Sequence, residues 1–339
     1  MAQGYAKDQP AGFKNHVENI AVVGVSGSVG AYITRELLGT GKHTVTAVTR
    51  EDSKSEIPKG VNVAKVNYDD ESTLVETLKG QQALVITMKT GQTEQILKLV
   101  RAAAKAGVDW IMPNEYSPDV RANTSFGNES LLLPNVLKQQ EEIEKQGVSS
   151  WIALTNGFWY PYSLVQAPQA YGFDFKNKTA YMIDGGNLKL NTSTWDQCGR
   201  AVARLFSLPV LPQDANDKSA TISHWRNNQV HVSSFFISQK DMLDSILRVT
   251  GEKEADWTIV NENAQERYKQ GQALLKEGGA STGKGYIQCM YTRIFYDDGS
   301  GQFNDNMDNE KLGLPKEDLD EATKEGMEMV ENGYNYFTR

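Results

Sequence analysis

Residues 19–50 read NIAVVGVSGSVGAYITRELLGTGKHTVTAVTR. An apolar run at residues 20–23 is followed by the glycine turn GVSGSVG at residues 24–30, a helical pattern, and a second apolar run that ends at Arg50. A glycine turn between a buried strand and a helix brings backbone N–H groups and the positive end of the helix to one place. Because such a place can bind a diphosphate, the stretch predicts a dinucleotide-binding βαβ unit.

Each glycine of the turn has a separate expected role. Gly24 permits a sharp exit from the strand, Gly27 lets a diphosphate approach the backbone, and Gly30 lets the helix lie close to the sheet. The spacing GxxGxxG differs from GxGxxG, so a tight turn without a ligand is the alternative interpretation. The residues of the turn that we predict to bind the cofactor are Gly24, Ser26, Gly27, Ser28, Val29 and Gly30.

Arg50 distinguishes between the two nicotinamide cofactors. An acidic residue at the end of the second strand would bind the ribose 2′-hydroxyl of NAD, whereas a guanidinium there pairs with the 2′-phosphate of NADP. Residues 44–49 contain no Asp or Glu, although Glu51 and Asp52 follow Arg50. We therefore predict NADP(H) as the cofactor, and the alternative is that Arg50 is an ordinary solvated charge.

Composition limits the classes of protein to which this chain can belong. Its 339 residues are 39% apolar and 23% charged, which is typical of a globular protein with a large core and a second lobe. The formal charge of −8 argues against a nucleic-acid partner. No signal peptide or membrane span is apparent, and neither the two cysteines nor the four histidines have metal-ligand spacing. We expect a cytoplasmic protein with a small-molecule substrate and no metal, and the sequence does not indicate its oligomeric state.

Apolar segments alternate with helical segments in the first half of the chain, which predicts an α/β fold with a Rossmann-type, doubly wound parallel sheet. The predicted strands are Ile20–Val25, Thr44–Val48, Val61–Val66, Ala83–Met88, Trp110–Met112 and Trp151–Leu154, and the predicted helices are Val29–Leu38, Glu71–Leu78, Glu94–Ala106 and Val136–Lys145. A further strand is predicted at Val230–Phe236.

The pattern changes at Trp159, where aromatic residues and glycine turns become frequent. We predict a flexible N-terminal arm at residues 1–18 and an NADP-binding Rossmann domain at residues 19–158. A smaller, mixed α/β substrate lobe would follow at residues 159–339, with some segments returning to the Rossmann domain.

Ligands of doubly wound sheets bind at the carboxyl ends of the strands, so the residues just after each strand are candidates for the site. Further predicted cofactor contacts are Asn67, Thr87, Met88, Lys89, Asn156, Gly157 and Phe158. Predicted substrate contacts are Asn114, Phe158, Trp159 and Tyr160. The aromatic side chains among them favour a flat, apolar ligand.

Three passages carry a family resemblance: residues 24–50, Ala102–Asp119 and Thr192–Phe206. In these passages the chain resembles the NmrA-like group of atypical short-chain dehydrogenases, which includes isoflavone-reductase-like enzymes and many fungal pathway proteins. The resemblance implies a Rossmann-type fold, NADP binding and a substrate lobe that faces the nicotinamide. Reductases of this family usually carry a lysine in the helix before the sixth strand, where this chain has Val136.

Without that lysine, carboxylate and phenol groups are the candidates for proton transfer. Glu115 could serve as acid or base if burial raised its pKa, and the alternative is a carboxylate that orients its loop. Tyr116 and Tyr160 could donate a proton, and the alternative is that they only line the site.

Three functions remain open. The first is NADPH-dependent reduction of a C=C, C=N or C=O bond in a small aromatic or heterocyclic metabolite, as in fungal secondary metabolism. The second is acid–base catalysis without net redox change, such as a cyclisation of Pictet-Spengler type, with NADP retained structurally and Glu115 as the catalytic group. The third is an NADP-sensing regulator.

Overall fold

The structure is a computed structural model, and it describes residues 4–89, 91–121, 124–129 and 132–333. The strands are β1 (Asn19–Val23), β2 (Thr44–Arg50), β3 (Asn62–Val66), β4 (Ala83–Ile86), β5 (Trp110–Met112), β6 (Tyr116–Ser117), β7 (Ser150–Thr155), β8 (Phe158–Trp159), β9 (Phe173–Asp174), β10 (Thr179–Ile183), β11 (Leu190–Ser193), β12 (Asn228–His231), β13 (Phe235–Ile237) and β14 (Thr258–Glu262).

The main sheet has the strand order β12-β7-β5-β4-β1-β2-β3, with β6 also paired to β7, and all these pairs are parallel. Each of the six strands predicted before residue 159 is present, with ends that lie within two residues of the prediction. The predicted Rossmann-type α/β fold is therefore confirmed. Chain order reverses between β1 and β4, which is the point where such sheets bind ligands.

The helices are α1 (Ser28–Gly39), α2 (Glu71–Leu78), α3 (Thr93–Ala106), α4 (Thr124–Glu129), α5 (Leu133–Gln146), α6 (Tyr162–Gln166), α7 (Trp195–Phe206), α8 (Gln239–Thr250), α9 (Ala264–Glu277), α10 (Ser281–Arg293) and α11 (Leu319–Glu331). Helix α5 begins three residues before its predicted start because Pro134 suits a first helical turn, where a backbone N–H is not needed.

Both faces of the main sheet are buried. In β1, Ile20 and Val22 belong to the core beneath α1 and α7, whereas Ala21 and Val23 belong to the core beneath α2, α3 and α5. Alternate side chains of a strand point to opposite faces, so a continuous apolar run is what a sheet covered on both sides requires.

The second half of the chain builds two smaller sheets, with strand orders β14-β10-β9 and β13-β11-β8, around a separate core that includes Phe173 and Met182. Two of its elements return to the first half, because β12 pairs with β7 and α7 packs on α1. The predicted single strand Val230–Phe236 was wrong, since β12 and β13 lie in different sheets. The Ser233 hydroxyl donates to the Phe235 carbonyl at 2.7 Å and shapes the turn between them. The boundary at residue 159 stays a prediction.

The segment before β1, predicted as a flexible arm, lies against the loop after α7. The Ala6 N–H donates to the Pro212 carbonyl at 2.9 Å, and the Leu211 N–H donates to the side-chain oxygen of Asn15 at 2.7 Å. Val17 is buried in the first core. The described part of the arm is therefore docked in this structure.

Candidate functional site

The glycine turn joins β1 to α1 and leaves no room for side chains at two positions. Gly24 has a φ of 86°, and a Cβ atom there would lie 2.2 Å from the Thr87 carbonyl oxygen. A Cβ atom at Gly30 would lie 2.1 Å from the Gly24 carbonyl oxygen. Since real Cβ contacts do not approach below about 3 Å, the turn keeps this shape only with glycine at both positions.

The N-terminal end of α1 is open. Ser26, Gly27 and Ser28 are exposed, and no side chain in the described residues caps this end of the helix. The first N–H groups of a helix have no partner within the helix, so they are available to an anion together with the positive helix end. Val29, the remaining residue of this predicted set, has its side chain buried in the first core.

The end of β4 is tied to strands on both sides. The Thr87 hydroxyl donates to the Val23 carbonyl at 2.7 Å, which fixes the segment after β4 beside β1. The Asn114 amide accepts from the Met88 N–H at 3.0 Å and donates to the Met88 carbonyl at 2.9 Å, which fixes it beside β5. These two hydrogen bonds give Asn114 a positioning role. Lys89 is exposed beyond it.

Arg50 reaches into solvent at the end of β2. Its side chain is 68% exposed, and its one described ion pair, to Asp52, is long at 3.6 Å. Burial raises the pKa of the neighbouring Tyr68 hydroxyl to about 12, and the positive charge of Arg50 opposes this shift. The Asn67 side-chain oxygen accepts from the Asp69 N–H at 2.9 Å, so part of its predicted binding capacity is used within its own turn. The guanidinium of Arg50 has the freedom to pair with a phosphate.

Glu115 is buried and fully engaged. Both carboxylate oxygens accept N–H groups of Arg121, one of them at 2.9 Å, and Gln140 also donates to the carboxylate at 2.9 Å. Burial raises the pKa of this carboxyl, and the Arg121 charge opposes that shift. The arrangement fits the alternative interpretation, in which the carboxylate orients its loop, better than a group that exchanges protons with a ligand.

Tyr160 lies in the second core. Its side chain is fully buried in the second core, and its hydroxyl is hydrogen-bonded to the Thr323 hydroxyl at 2.5 Å. Trp159, the residue before it, packs against the first core instead. Successive side chains of an extended segment point in opposite directions, so only one of the two neighbours can face the cleft. This buried position gives no support to the predicted catalytic and substrate-binding roles of Tyr160, which stay predictions.

The segment after β7 is fixed mostly by internal contacts. Asn156 is buried and donates to the Gly157 carbonyl at 3.1 Å, while its side-chain oxygen has no partner among the described residues. A Cβ atom at Gly157 would lie 2.1 Å from the Asn191 carbonyl oxygen, so this glycine serves the approach of β11. Phe158 stacks on Tyr291 with ring centroids 4.0 Å apart. Of the residues predicted in this segment, Asn156 keeps a side-chain oxygen that has no hydrogen-bond partner among the described residues.

Tyr116 keeps an unused hydroxyl. Its side-chain oxygen is buried and has no hydrogen-bond partner in the described parts of the chain. Burial raises the pKa of this phenol well above its usual range, and the nearby Cys198 adds to the shift. The group is therefore protonated at neutral pH. Val136, at the position where the family resemblance implies a lysine, is buried and apolar.

Four aromatic side chains from four different elements form a cluster, and we refer to Tyr32, Trp159, Tyr162 and Trp195 as the aromatic cluster. Its ring centroids are 5.4 to 6.1 Å apart, and all four side chains are partly buried. Only Trp159 was predicted as a site residue. The sequence signal for Trp195 is its place directly after Thr194, the residue that caps α7.

Other kinds of site find no support among the residues that the structure describes. No three His, Cys, Asp or Glu side chains in this part are grouped so that they could hold a metal ion. No helix in it combines the length and the apolar character needed to cross a membrane.

Comparison with known proteins identifies relatives. Residues 16–152 match the model of the NmrA-like family. Oxidoreductase aprR of Aspergillus flavus is 27% identical over 319 residues, covering 89% of this chain and 96% of that protein.

Solved structures show the same fold. A structure of AtPrR2 with NADP⁺ and (+)pinoresinol has a TM-score of 0.69 at 19% identity and covers 93% of this chain and 100% of that one. An NADPH-dependent quinone oxidoreductase from Escherichia coli has a TM-score of 0.63 at 18% identity and covers 92% and 99%. The glycine turn and the strands β1 to β5 fall in the same part of the chain as the match to the NmrA-like family model, so this part of the chain is similar to that family.

Proposed function

We propose that this protein is an oxidoreductase that binds NADP(H) and uses it to reduce a C=C, C=N or C=O bond in a small aromatic or heterocyclic metabolite. The observation that carries the proposal is the glycine turn at the start of α1. The turn is exposed to solvent at residues 26–28 and leaves no space for a Cβ atom at Gly24 or Gly30. We infer a role in fungal secondary metabolism from the family resemblance and from the Aspergillus relative, an oxidoreductase by name.

The residues present fit a phosphorylated dinucleotide. The open N–H groups at Ser26 to Ser28 suit its diphosphate, and the exposed guanidinium of Arg50 suits a 2′-phosphate. On the side of β1 away from Arg50, the Thr87 hydroxyl holds the segment after β4 against the end of β1. Relatives of the same fold include one studied with NADP⁺ and one described as NADPH-dependent, which agrees with this choice of cofactor.

When bound at the glycine turn, NADPH would supply the hydride for the reduction of the substrate double bond. In our proposal Tyr116 holds the proton that the other atom of that bond receives, because its hydroxyl is protonated and has no described partner. A phenol can do this work where Val136 replaces the family's lysine. Trp159 would hold a flat substrate against the cleft.

The non-redox alternative depends on Glu115 as acid or base. That carboxylate accepts hydrogen bonds from Arg121 and Gln140 and is buried, so a substrate would have to displace these donors to reach it. No feature of the described residues favours the regulatory alternative. Reduction is the function that the site supports best.

The first test is cofactor binding, measured as thermal stabilisation by NADP⁺ and by NAD⁺. NADP⁺ at about a hundredfold excess over its Kd should stabilise the folded state by about 2.7 kcal/mol. Arg50→Ala should weaken NADP⁺ binding roughly tenfold to a hundredfold, since a charge-assisted bond is lost, and should leave NAD⁺ binding unchanged. Arg204→Ala, which removes an exposed arginine of α7, is the control. Equal effects of both cofactors on every variant would refute the assignment.

The second test is turnover, followed by the absorbance of reduced nicotinamide with candidate aromatic ketones, imines and enones. Tyr116→Phe should lower kcat about a hundredfold and leave NADP⁺ binding intact, because only the proton donor is removed. Turnover that proceeds equally with NADP⁺ and NADPH would favour the non-redox alternative.

A further inference from the structure

Helix α4 follows β6 of the main sheet but packs on the second half of the chain. Its Phe126 side chain is buried in the second core, as is Val120 from the segment just before the helix. The carbonyl of Glu129, the last residue of α4, accepts from the Tyr268 hydroxyl of α9 at 3.3 Å. A helix that follows the main sheet in sequence is therefore held by the half of the molecule that contains the smaller sheets.

The chain reaches α4 from the carboxyl end of the main sheet and returns to the same place. Strand β6 ends at Ser117, beside the end of β7. Before the helix, Arg121 donates to the Glu115 carboxylate at 2.9 Å, and after it Gln140 of α5 donates to the same carboxylate at 2.9 Å. Ligands of such sheets bind at the carboxyl ends of the strands. Helix α4 therefore bridges the ligand-binding end of the sheet and the second core.

Arg293 of α10 holds two polar side chains of α4. The Arg293 side chain is only 1% exposed. Its Nε atom donates to the Glu129 carboxylate at 2.5 Å, and one Nη atom donates to the Ser125 hydroxyl at 3.2 Å. The guanidinium also lies 5.5 Å from the centroid of the Phe126 ring, within the range of a cation–π contact. A single buried cation thus joins α4 to α10.

The charge of Arg293 keeps a partner without α4. Its other donors bind the Asp298 carboxylate at 2.7 Å and the Ser300 hydroxyl at 2.8 Å. A buried charge that lost its last partner would be strongly destabilising. Because Asp298 stays in place, Glu129 can separate from Arg293 without leaving that charge unpaired.

Few apolar contacts hold α4 in the described part of the chain. Among its described side chains, only Phe126 is apolar and buried, whereas Ser125 and Glu129 are exposed. An element with few buried apolar contacts opens at a lower cost than the whole fold. The polar contacts to Arg293 therefore carry much of the attachment of α4.

We propose that α4 is a lid between the carboxyl end of the main sheet and the second core, and that Arg293 is the latch that holds the lid closed. A ligand at that end of the sheet enters and leaves when Glu129 separates from Arg293. The latch is independent of any ligand, and only the gating of NADP(H) rests on the proposed function.

The first test measures opening by trypsin cleavage after Arg121, followed by mass spectrometry on the full chain without ligand. Cleavage there requires the chain around α4 to leave its folded contacts, so its rate reports the open population. Glu129→Ala removes the ion pair and keeps a good helix former, and cleavage should become about tenfold to a hundredfold faster. Ser125→Ala removes a longer, neutral acceptor and should accelerate cleavage about twofold to fivefold.

The second half of the chain provides a matched control. Arg267 is 5% exposed and is paired with Glu262, away from α4. Glu262→Ala removes a comparable ion pair and should leave cleavage after Arg121 at the natural rate. Equal cleavage of Glu129→Ala and the natural protein would overturn the latch, and so would equal acceleration in Glu129→Ala and Glu262→Ala.

The second test measures NADPH association and release by stopped-flow fluorescence. A gate changes both rates and leaves the contacts with the ligand intact. In Glu129→Ala both rates should therefore rise by about the factor found for cleavage, with Kd within about threefold of the natural value. Faster release with unchanged association, or unchanged rates despite faster cleavage, would overturn the lid. Absence of NADPH binding to the natural protein would refute the proposed function instead, and the cleavage rates would still decide the latch.

Discussion

Replacing Gly30 by alanine should strain the junction between the turn and the main sheet. A Cβ atom at this position would lie 2.1 Å from the Gly24 carbonyl oxygen and 2.4 Å from the Thr87 hydroxyl oxygen. Both contacts are roughly 1 Å too short, so α1 must move away from β1 and β4. Overpacking of this kind costs about 1–3 kcal/mol, and a contact with backbone places it at the upper end. Gly30→Ala should therefore lower the free energy of unfolding by about 3 kcal/mol.

The same helix provides a matched control. Gly39 is the last residue of α1, and a Cβ atom there would meet nothing within 4 Å. Gly39→Ala should be neutral or stabilise by up to about 1 kcal/mol, because alanine favours the helix. Urea denaturation followed by circular dichroism compares the variants, and thermal stabilisation by NADP⁺ reports the shape of the turn. If Gly30→Ala unfolds at the same urea concentration as Gly39→Ala, the reasoning about close approach fails.

Three further predictions concern stability. Arg121→Ala leaves the buried Glu115 carboxylate without its ion pair and should destabilise the protein by about 3–5 kcal/mol in urea denaturation, whereas Glu115→Gln with Arg121 intact should cost less. Tyr160→Phe removes one buried hydrogen bond and should cost about 1 kcal/mol without changing turnover, and a loss of turnover at unchanged stability would restore Tyr160 to the site. A backbone hydrogen bond from Gln213 and further bonds lower the pKa of Asp217 to about 2, below the value of about 3.9 for an unfolded chain. The stabilisation that the ionised Asp217 carboxylate provides is present above about pH 4 and is lost as the pH falls toward 2. Asp217→Asn should therefore be less stable than the natural protein at pH 6 and equally stable in acid. Thermal melts at a series of pH values measure this difference.

Sequence patterns predicted the first half of the chain well because β1, β4, β5 and β7 are buried along almost their whole length. Continuous runs such as residues 20–23 are easy to recognise, and the glycine turn marks where β1 ends and α1 begins. Helix α10 was not predicted. Its Gly285 would otherwise favour a loop, but a Cβ atom there would lie 2.7 Å from the Gly271 carbonyl oxygen of α9. Gly285 allows α9 and α10 to pack closely, and the same glycine weakens the helical pattern in the sequence.

The candidate site was harder to predict because side-chain direction depends on contacts far away in the sequence. Tyr160 and Trp159 are adjacent, and no sequence pattern distinguishes their directions. In the structure the Tyr160 hydroxyl is hydrogen-bonded to Thr323, whereas Trp159 packs against the first core. Tyr32 and Trp195 meet in the aromatic cluster because Gly199 lets α7 lie against α1. These pairings follow from helix packing, and no local pattern encodes them.

Glu115 and Tyr116 are best understood together. They are neighbours at the start of β6, and alternate side chains there point to opposite sides. Arg121 and Gln140 hold the carboxylate on one side, and this fixes the direction of the phenol on the other side toward α7. The ion pair would then serve the reaction indirectly, by holding the backbone that aims Tyr116. In that case Glu115→Gln, which keeps the side-chain shape and one acceptor oxygen but replaces the other acceptor by an N–H donor, should lower kcat far less than Tyr116→Phe. An equal loss in both variants would instead make the carboxylate a proton carrier.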